Sequence, residues 1–325
     1  MPETFASVIA TEIDDYLAMR EAGGIGSTQT RYHLLSLDGF CIRSGLDRKE
    51  LPREVVEQWA DAQPGSVNVR RSRLSTVRGL AVYLNALGIP AYMPHLPKRG
   101  STYTPYLFTE EELAALFAST DALHGQRGRL SSAVEMMPVL FRVLYGTGLR
   151  LGEALSLRWE DVDEQAGVLL IRKAKNDRQR YTPMSASLGS ILTAYRSSGI
   201  CAHSASSTIF SDPSGKTVTQ TQVRSLFERA LADIGIENPR TSRGQRGICP
   251  HCLRHLFTVH SFLKMEEEGR SFLESNPYLS AYLGHENLAC TNQYLNSSHT
   301  MHRREQAKME DACEGVFPEV DFDEQ

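Results

Sequence analysis

A chain of 325 residues, 41% hydrophobic and with a net charge of −4, is long enough for two domains, and none of its stretches approaches the ~20 apolar residues of a membrane span. Six cysteines at this length exclude a disulfide scaffold, and Met1-Pro2-Glu3-Thr4-Phe5 lacks the basic-then-apolar pattern of a secretory signal, so a reducing cytosol is the expected compartment. The acidic sum argues against nucleic acid only until it is located: from residue 301 onward the chain carries eight acids and three bases, and the remainder nets +1.

Residues 1 to about 88 read as several helices. Pro52 sits early in the Leu51–Ala60 segment, where a first helical turn tolerates it. From Val67 to Leu87, Leu74, Val77, Leu80, Ala81 and Leu84 recur at helical spacing, and Gly88 is the expected stop. No acid occurs between Asp61 and Glu110, whereas Arg70, Arg71, Arg73, Arg78, Lys98 and Arg99 do. Local basic surface is what a phosphate backbone meets, so these six are candidate DNA contacts, with a solvated helix face as the competing reading.

Pro90, Pro94, Pro97, Gly100 and Pro105 then break the helical pattern. The predicted division is a helical domain over 1–97, a flexible linker over 98–106, a second domain over 107–300 and an acidic tail over 301–325 that holds Phe317 and Phe322. Thr109 followed by Glu112 is a capping box, with Phe108 and Leu113 as its hydrophobic staple. Val134–Tyr145 reads as a buried helix. A turn, Gly146-Thr147-Gly148, leads to a short helix over Arg150–Leu157. Val168–Ile171 is strand-like, Arg180–Thr182 returns beside it, and Lys175-Asn176-Asp177 makes the turn. Helices follow at Leu188–Arg196, Thr221–Ile234, His251–Glu268 and Ala289–Asn296. The expected class is mainly α with a small β-sheet or hairpin (α+β). A second acid-free stretch, Glu237 to Glu266, contains Arg240, Arg243, Arg246, Arg254 and Lys264; Arg243 and Arg246 join the candidate DNA contacts.

Metal-free cleavage of a phosphodiester needs cations on the non-bridging oxygens, an in-line nucleophile, and groups that move two protons. Arginine suits the first task because its planar fork stays charged and grips phosphate bidentately. Arg150 and Arg254 can supply it. Tyr294 can supply the nucleophile, and Lys175, His251 and His285 are candidates for proton transfer and for orienting the phosphate. Lys175 competes with Lys173 and Arg172 for its part.

With these residues in this order the chain resembles the tyrosine recombinase family, the phage integrases and Xer-type resolvases. The resemblance runs through Thr147-Gly148-Leu149-Arg150-Leu151-Gly152-Glu153-Ala154-Leu155 with Leu157, Trp159 and Asp161 behind it, then Lys175, His251-Cys252-Leu253-Arg254-His255, Leu283-Gly284-His285 and Tyr294. It covers residues 107 to 298, and more loosely the helical N-terminal part, which looks like that family's core-binding domain. It implies a site-specific recombinase or integrase that forms a 3′-phosphotyrosine link through Tyr294, with Arg150, Arg254 and His285 on the phosphate. Lys175 would protonate the 5′-oxygen, and His251 would serve the tyrosine. It also implies double-stranded DNA gripped by both domains, a tetramer on two duplexes, and no metal, cofactor or ATP. The interval between Arg254 and His285 is longer than the family's, and is read as an inserted turn between helices.

Two other classes compete. A type IB topoisomerase uses a similar residue set but relaxes DNA without regard to site, and a DNA-binding regulator would bind without cutting. Cys249-Pro250-His251-Cys252 suggests a redox dithiol, or a zinc site with His255. The dithiol lacks the usual β-α-β setting, and the zinc site lacks a fourth ligand at convincing spacing.

Overall fold

The computed structural model describes residues 4–26, 28–100, 105–123, 131–172, 179–238 and 247–284. The chain divides into two compact units, one within Met1–Tyr103 and one that begins at Thr104.

The first unit is built from α1 (Ala10–Ala22), α2 (Thr28–Arg43), α3 (Arg53–Asp61) and α4 (Val67–Ala86). Their apolar faces close on a core of Ile9, Ile13, Leu34, Leu37, Val56, Trp59, Val77 and Leu80, all fully buried. Each such side chain contributes about 1.5–3 kcal/mol relative to exposure. The expected periodicity of the long helix is observed: Leu74, Val77, Leu80, Ala81 and Leu84 are its buried positions. Ser66 caps its N-terminus by accepting from the Val69 N–H, and Gly88, at φ +80°, ends it.

The Pro-rich segment that follows differs from a loose linker. Leu51 N–H donates to Pro90 O and Tyr92 N–H to Leu51 O, both at 2.8 Å. The Asn85 amide both donates to Ala91 O and accepts from its N–H. Arg78 donates to Pro94 O, Arg71 to Pro97 O, and Gly100 N–H to Asn68 Oδ1. Proline lacks an N–H but keeps its carbonyl, so a Pro-rich strand offers acceptors to the donors of a neighbouring arginine helix.

The second unit opens as predicted, with Thr109 and Glu112 capping α5 (Glu110–Ala122) and Phe108 and Leu113 buried beside it. Its centre is α6 (Ser131–Thr147), which packs against α5, α7, α8, α9 and α10. Met136, Met137, Leu140, Phe141, Val143 and Leu144 are all enclosed, which explains why this helix reads as buried. After α7 (Leu151–Ser156) and a 3₁₀ turn at Trp159–Asp161 comes an antiparallel sheet in the order β1 (Val162–Asp163), β2 (Val168–Ile171), β3 (Arg180–Pro183). Leu169 and Ile171 face the core, opposite Thr182 and Arg180 respectively. Strand β1, two residues long, left no alternation for sequence reading to detect.

Helices α8 (Ala186–Ser197), α9 (Gln220–Asp233) and α10 (His251–Glu267) stand where periodicity places them. The interval after Arg254 holds the turn between helices that the sequence suggests, at residues 268–271, and also more than that. It holds a complete helix, α11 (Phe272–Leu283), capped by Ser271 and Glu274 and ended by Gly284 at φ +64°. Pro277 inside it, which argues for a turn in sequence, is tolerated within the packed helix. The predicted helix Ala289–Asn296 and the acidic tail with Phe317 and Phe322 lie outside the described residues, and no described helix is long and apolar enough to cross a membrane.

Candidate active site

Arg150 is the N-cap of α7, so its backbone is extended while the next turn is helical. Three residues on, the Glu153 carboxylate reaches back and accepts from the Arg150 N–H at 2.9 Å and from its Nη1 at 2.8 Å. This is the reciprocal geometry of a capping box, used here to aim a guanidinium. The side chain of Arg150 remains 29% exposed, and its Nη2 donates to Gly284 O at 3.4 Å.

Arg254 comes from the first turn of α10, on the same face as His251 three residues earlier. It is 1% exposed. Nη1 donates to Gly148 O at 2.7 Å and Nη2 to Leu283 O at 2.8 Å, and Nη1 stands 4.0 Å from Glu153 Oε2. Residues 104 positions apart in sequence are thus brought onto one carboxylate. His251 lies against His255, with ring centroids 4.8 Å apart and planes at 83°. A helix N-terminus adds partial positive charge to this end of α10.

The carbonyl that seats Arg254 belongs to a glycine for a steric reason. Gly148 has φ +61°, and a Cβ there would stand 2.4 Å from Phe257 Cδ1. Gly148→Ala is therefore expected to lose about 1–2 kcal/mol from the left-handed backbone alone. The clash adds to this, and DNA cleavage should fall with stability as the Arg254 seat moves. Thermal melting and a cleavage assay check it; a variant that melts and cleaves like the parent would remove the seat from the site.

Glu153 and Arg180 belong to this cluster as well, and the sequence reading gave neither a role in the site. Burial would push the Glu153 carboxyl up, but Arg180, the Arg150 N–H and the two guanidinium charges together hold it below the ordinary carboxylate value. Arg180 donates to both oxygens of Glu153, at 3.2 and 2.8 Å, and through Nε to Tyr282 O at 3.0 Å. The capping-box spacing from Arg150 to Glu153 is a local signal for the carboxylate. Arg180 has none, because its partners lie 27 and 102 residues away.

The rest of the first motif is structural. Leu157 and Trp159 are buried, and the Trp159 indole donates to Ala202 O. Asp161 accepts from the Arg158 N–H and from Arg172, so Arg172 is committed to a carboxylate at the base of its strand. Lys173, Lys175, Arg240, Arg243, Arg246, His285 and Tyr294 lie outside the described residues. Cys252 is enclosed in the core of this unit, beside Leu253, and Cys249 is half-buried.

In the first unit the predicted DNA contacts cluster on and after α4. Arg70 pairs with Asp61, Arg73 donates to Pro64 O, and Arg71 and Arg78 hold the Pro-rich segment. Arg70, Arg78, Lys98 and Arg99 are exposed; Arg71 and Arg73 are half-buried.

The model of the phage integrase family matches residues 107–301. A Sinorhizobium fredii protein that carries the name integrase/recombinase y4rB is 28% identical over 314 residues, 94% of this chain and 98% of its own. Tyrosine recombinase XerC of Oceanobacillus iheyensis is 30% identical over 237 residues, 68% of each chain. Among solved structures, the Tn1549 transposon integrase in complex with circular intermediate DNA matches with a TM-score of 0.62 at 15% identity, covering 91% of this chain and 98% of that one. XerH bound to its difH substrate matches at 0.61 and 19%, covering 85% and 77%. These structural likenesses establish the fold.

Proposed function

We propose that this chain, which belongs to the phage integrase family of tyrosine recombinases, cuts a DNA strand with Tyr294 at a specific site and passes the end to a partner strand. Family membership makes it a DNA-breaking and rejoining enzyme. The observation that carries the reading within the molecule is the convergence of Arg150 and Arg254 on Glu153.

On this reading Arg150 and Arg254 turn their guanidinium groups to the non-bridging oxygens of the scissile phosphate, helped by His285. The Tyr294 oxygen attacks phosphorus while His251 takes the phenolic proton. The bond from phosphorus to the 5′-oxygen breaks as Lys175 protonates that oxygen, which leaves a 3′-phosphotyrosine. A phenol of pKa ~10 is mostly protonated at neutral pH, so nearby cations favour its ionised form in the transition state. The 5′-hydroxyl of the partner strand then reverses the steps. Because the covalent link conserves the phosphodiester energy, the sequence closes without ATP.

Arg70, Arg71, Arg73, Arg78, Lys98, Arg99, Arg243 and Arg246 are the proposed backbone contacts, and a tetramer on two duplexes supplies the four active sites that two complete exchanges need. XerH and the Tn1549 integrase were each solved on DNA, which supports a DNA partner here. The expected result is a covalent adduct on a nicked suicide duplex that carries the recognition site, without relaxation of supercoiled plasmid that lacks it. Relaxation of any plasmid would favour a topoisomerase instead.

A further inference from the structure

Three arginines surround a single carboxylate in this site. Arg150, Arg180 and Arg254 have guanidinium nitrogens at 2.8, 2.8 and 4.0 Å from Glu153. The same three take successive carbonyls where α11 ends: Arg180 that of Tyr282, Arg254 that of Leu283, and Arg150 that of Gly284. Arg180 is the only one of the three that binds both oxygens of Glu153 with its two terminal nitrogens, and its side chain is 11% exposed against 4% for the carboxylate.

We propose that Arg180 is a positioning residue for strand cleavage: it takes up the charge of Glu153, so that Arg150 and Arg254 keep theirs for the phosphate, and it ties the end of α11, next to His285, to the same carboxylate. The inference rests on the reading of Arg150 and Arg254 as the phosphate-binding pair. Its reasoning is electrostatic. Three guanidiniums and one carboxylate sum to +2, matching the charge that builds on phosphorus oxygens as the phosphate becomes five-coordinate. Without Arg180 the sum is +1, and Arg150, 2.8 Å from an uncompensated carboxylate, is held by it as an ion pair. Burial makes this consequential, because solvent and salt screen charges weakly in an enclosed cluster. The planar fork explains the residue type: two nitrogens reach two carboxylate oxygens while Nε turns to a carbonyl, which an ammonium does not reproduce.

The test uses the full chain and a suicide duplex made in two forms, one with an ordinary scissile phosphate and one with a methylphosphonate that lacks a charged oxygen. Arg180→Met is expected to bind DNA like the parent and to form adduct about 100-fold more slowly, the scale of one lost oriented charge. Glu153→Gln placed in that variant removes the uncompensated charge and should recover at least about tenfold of the rate, a partial return of that loss. The Arg180→Met deficit should also shrink on methylphosphonate. A parental rate in Arg180→Met would overturn the proposal, as would an equal deficit on both substrates with no recovery in the double variant. If Arg180→Met does not fold, Arg180→Lys carries the test: it loses the fork on Glu153, so it should form adduct more slowly than the parent and regain rate when Glu153→Gln is added, and a parental rate or no regain overturns the idea. Tyr294→Phe run alongside separates the two levels. No adduct from the parent chain, or an adduct from Tyr294→Phe, fails the strand-cleavage reading, whereas an unimpaired Arg180→Met fails only the role given to Arg180.

Discussion

Tyr294→Phe is expected to bind its DNA site with undiminished affinity and to form no covalent adduct on a nicked suicide duplex. The substitution removes one oxygen. Affinity for DNA comes from many phosphate contacts spread over basic surface, so a lost hydroxyl is invisible to it. In the proposed mechanism the phenol itself attacks phosphorus, so the covalent step has no substitute for that oxygen. Twelve tyrosines occur in the chain, so the experiment also discriminates among them. Tyr282 is the tyrosine whose backbone touches the arginine cluster, yet it is a poor nucleophile: burial pushes its phenol up, and its hydroxyl donates to Pro183 O at 3.2 Å. Gel-resolved adduct and a binding isotherm decide the matter. An undiminished adduct in Tyr294→Phe would sink the assignment.

Arg254→Ala is expected to fail twice, in chemistry and in folding. Removing an oriented donor from a developing phosphorane costs about 10²–10³ in rate. Arg254 is also 1% exposed and clasps Gly148 O and Leu283 O, which join the start of α7 to the end of α11. Truncation leaves two buried carbonyls without that donor and Glu153 with one cation fewer, a loss of about 3–5 kcal/mol on the scale of broken buried pairs. Arg150→Ala should match it in lost cleavage and cost less in melting temperature, since Arg150 is 29% exposed and holds Gly284 O only at 3.4 Å. Paired melting curves and single-turnover cleavage check both statements. If Arg254→Ala melts like the parent, its guanidinium is not the clasp between the two turns.

The parts that proved legible share a property. The cap at Thr109, the stop at Gly88 and the apolar rows of α4 and α6 are set by neighbours within a few residues. The capping box at Ser271 is equally local and was legible in principle; Pro277 inside the same helix obscured it. The arginines of α4 show the limit from the other side. Their charge marked a basic face, but only the folded chain revealed that Arg71 and Arg78 also serve the carbonyls of Pro97 and Pro94.

What the sequence supplied by itself is the family and a candidate inventory, two arginines, two histidines, a lysine and a tyrosine proposed for strand transfer, set among helices whose periods are local. What only the tertiary structure decided is how the described part of that inventory is wired. Arg254 meets Glu153 across 101 positions, Arg180 meets Tyr282 across 102, and Arg150 meets Gly284 across 134. No residue within a helical turn encodes those partners. They follow from the packing of α6, α10 and α11, which brings distant turns together. There a buried carboxylate must find cations, and the open carbonyls at a helix end must find donors.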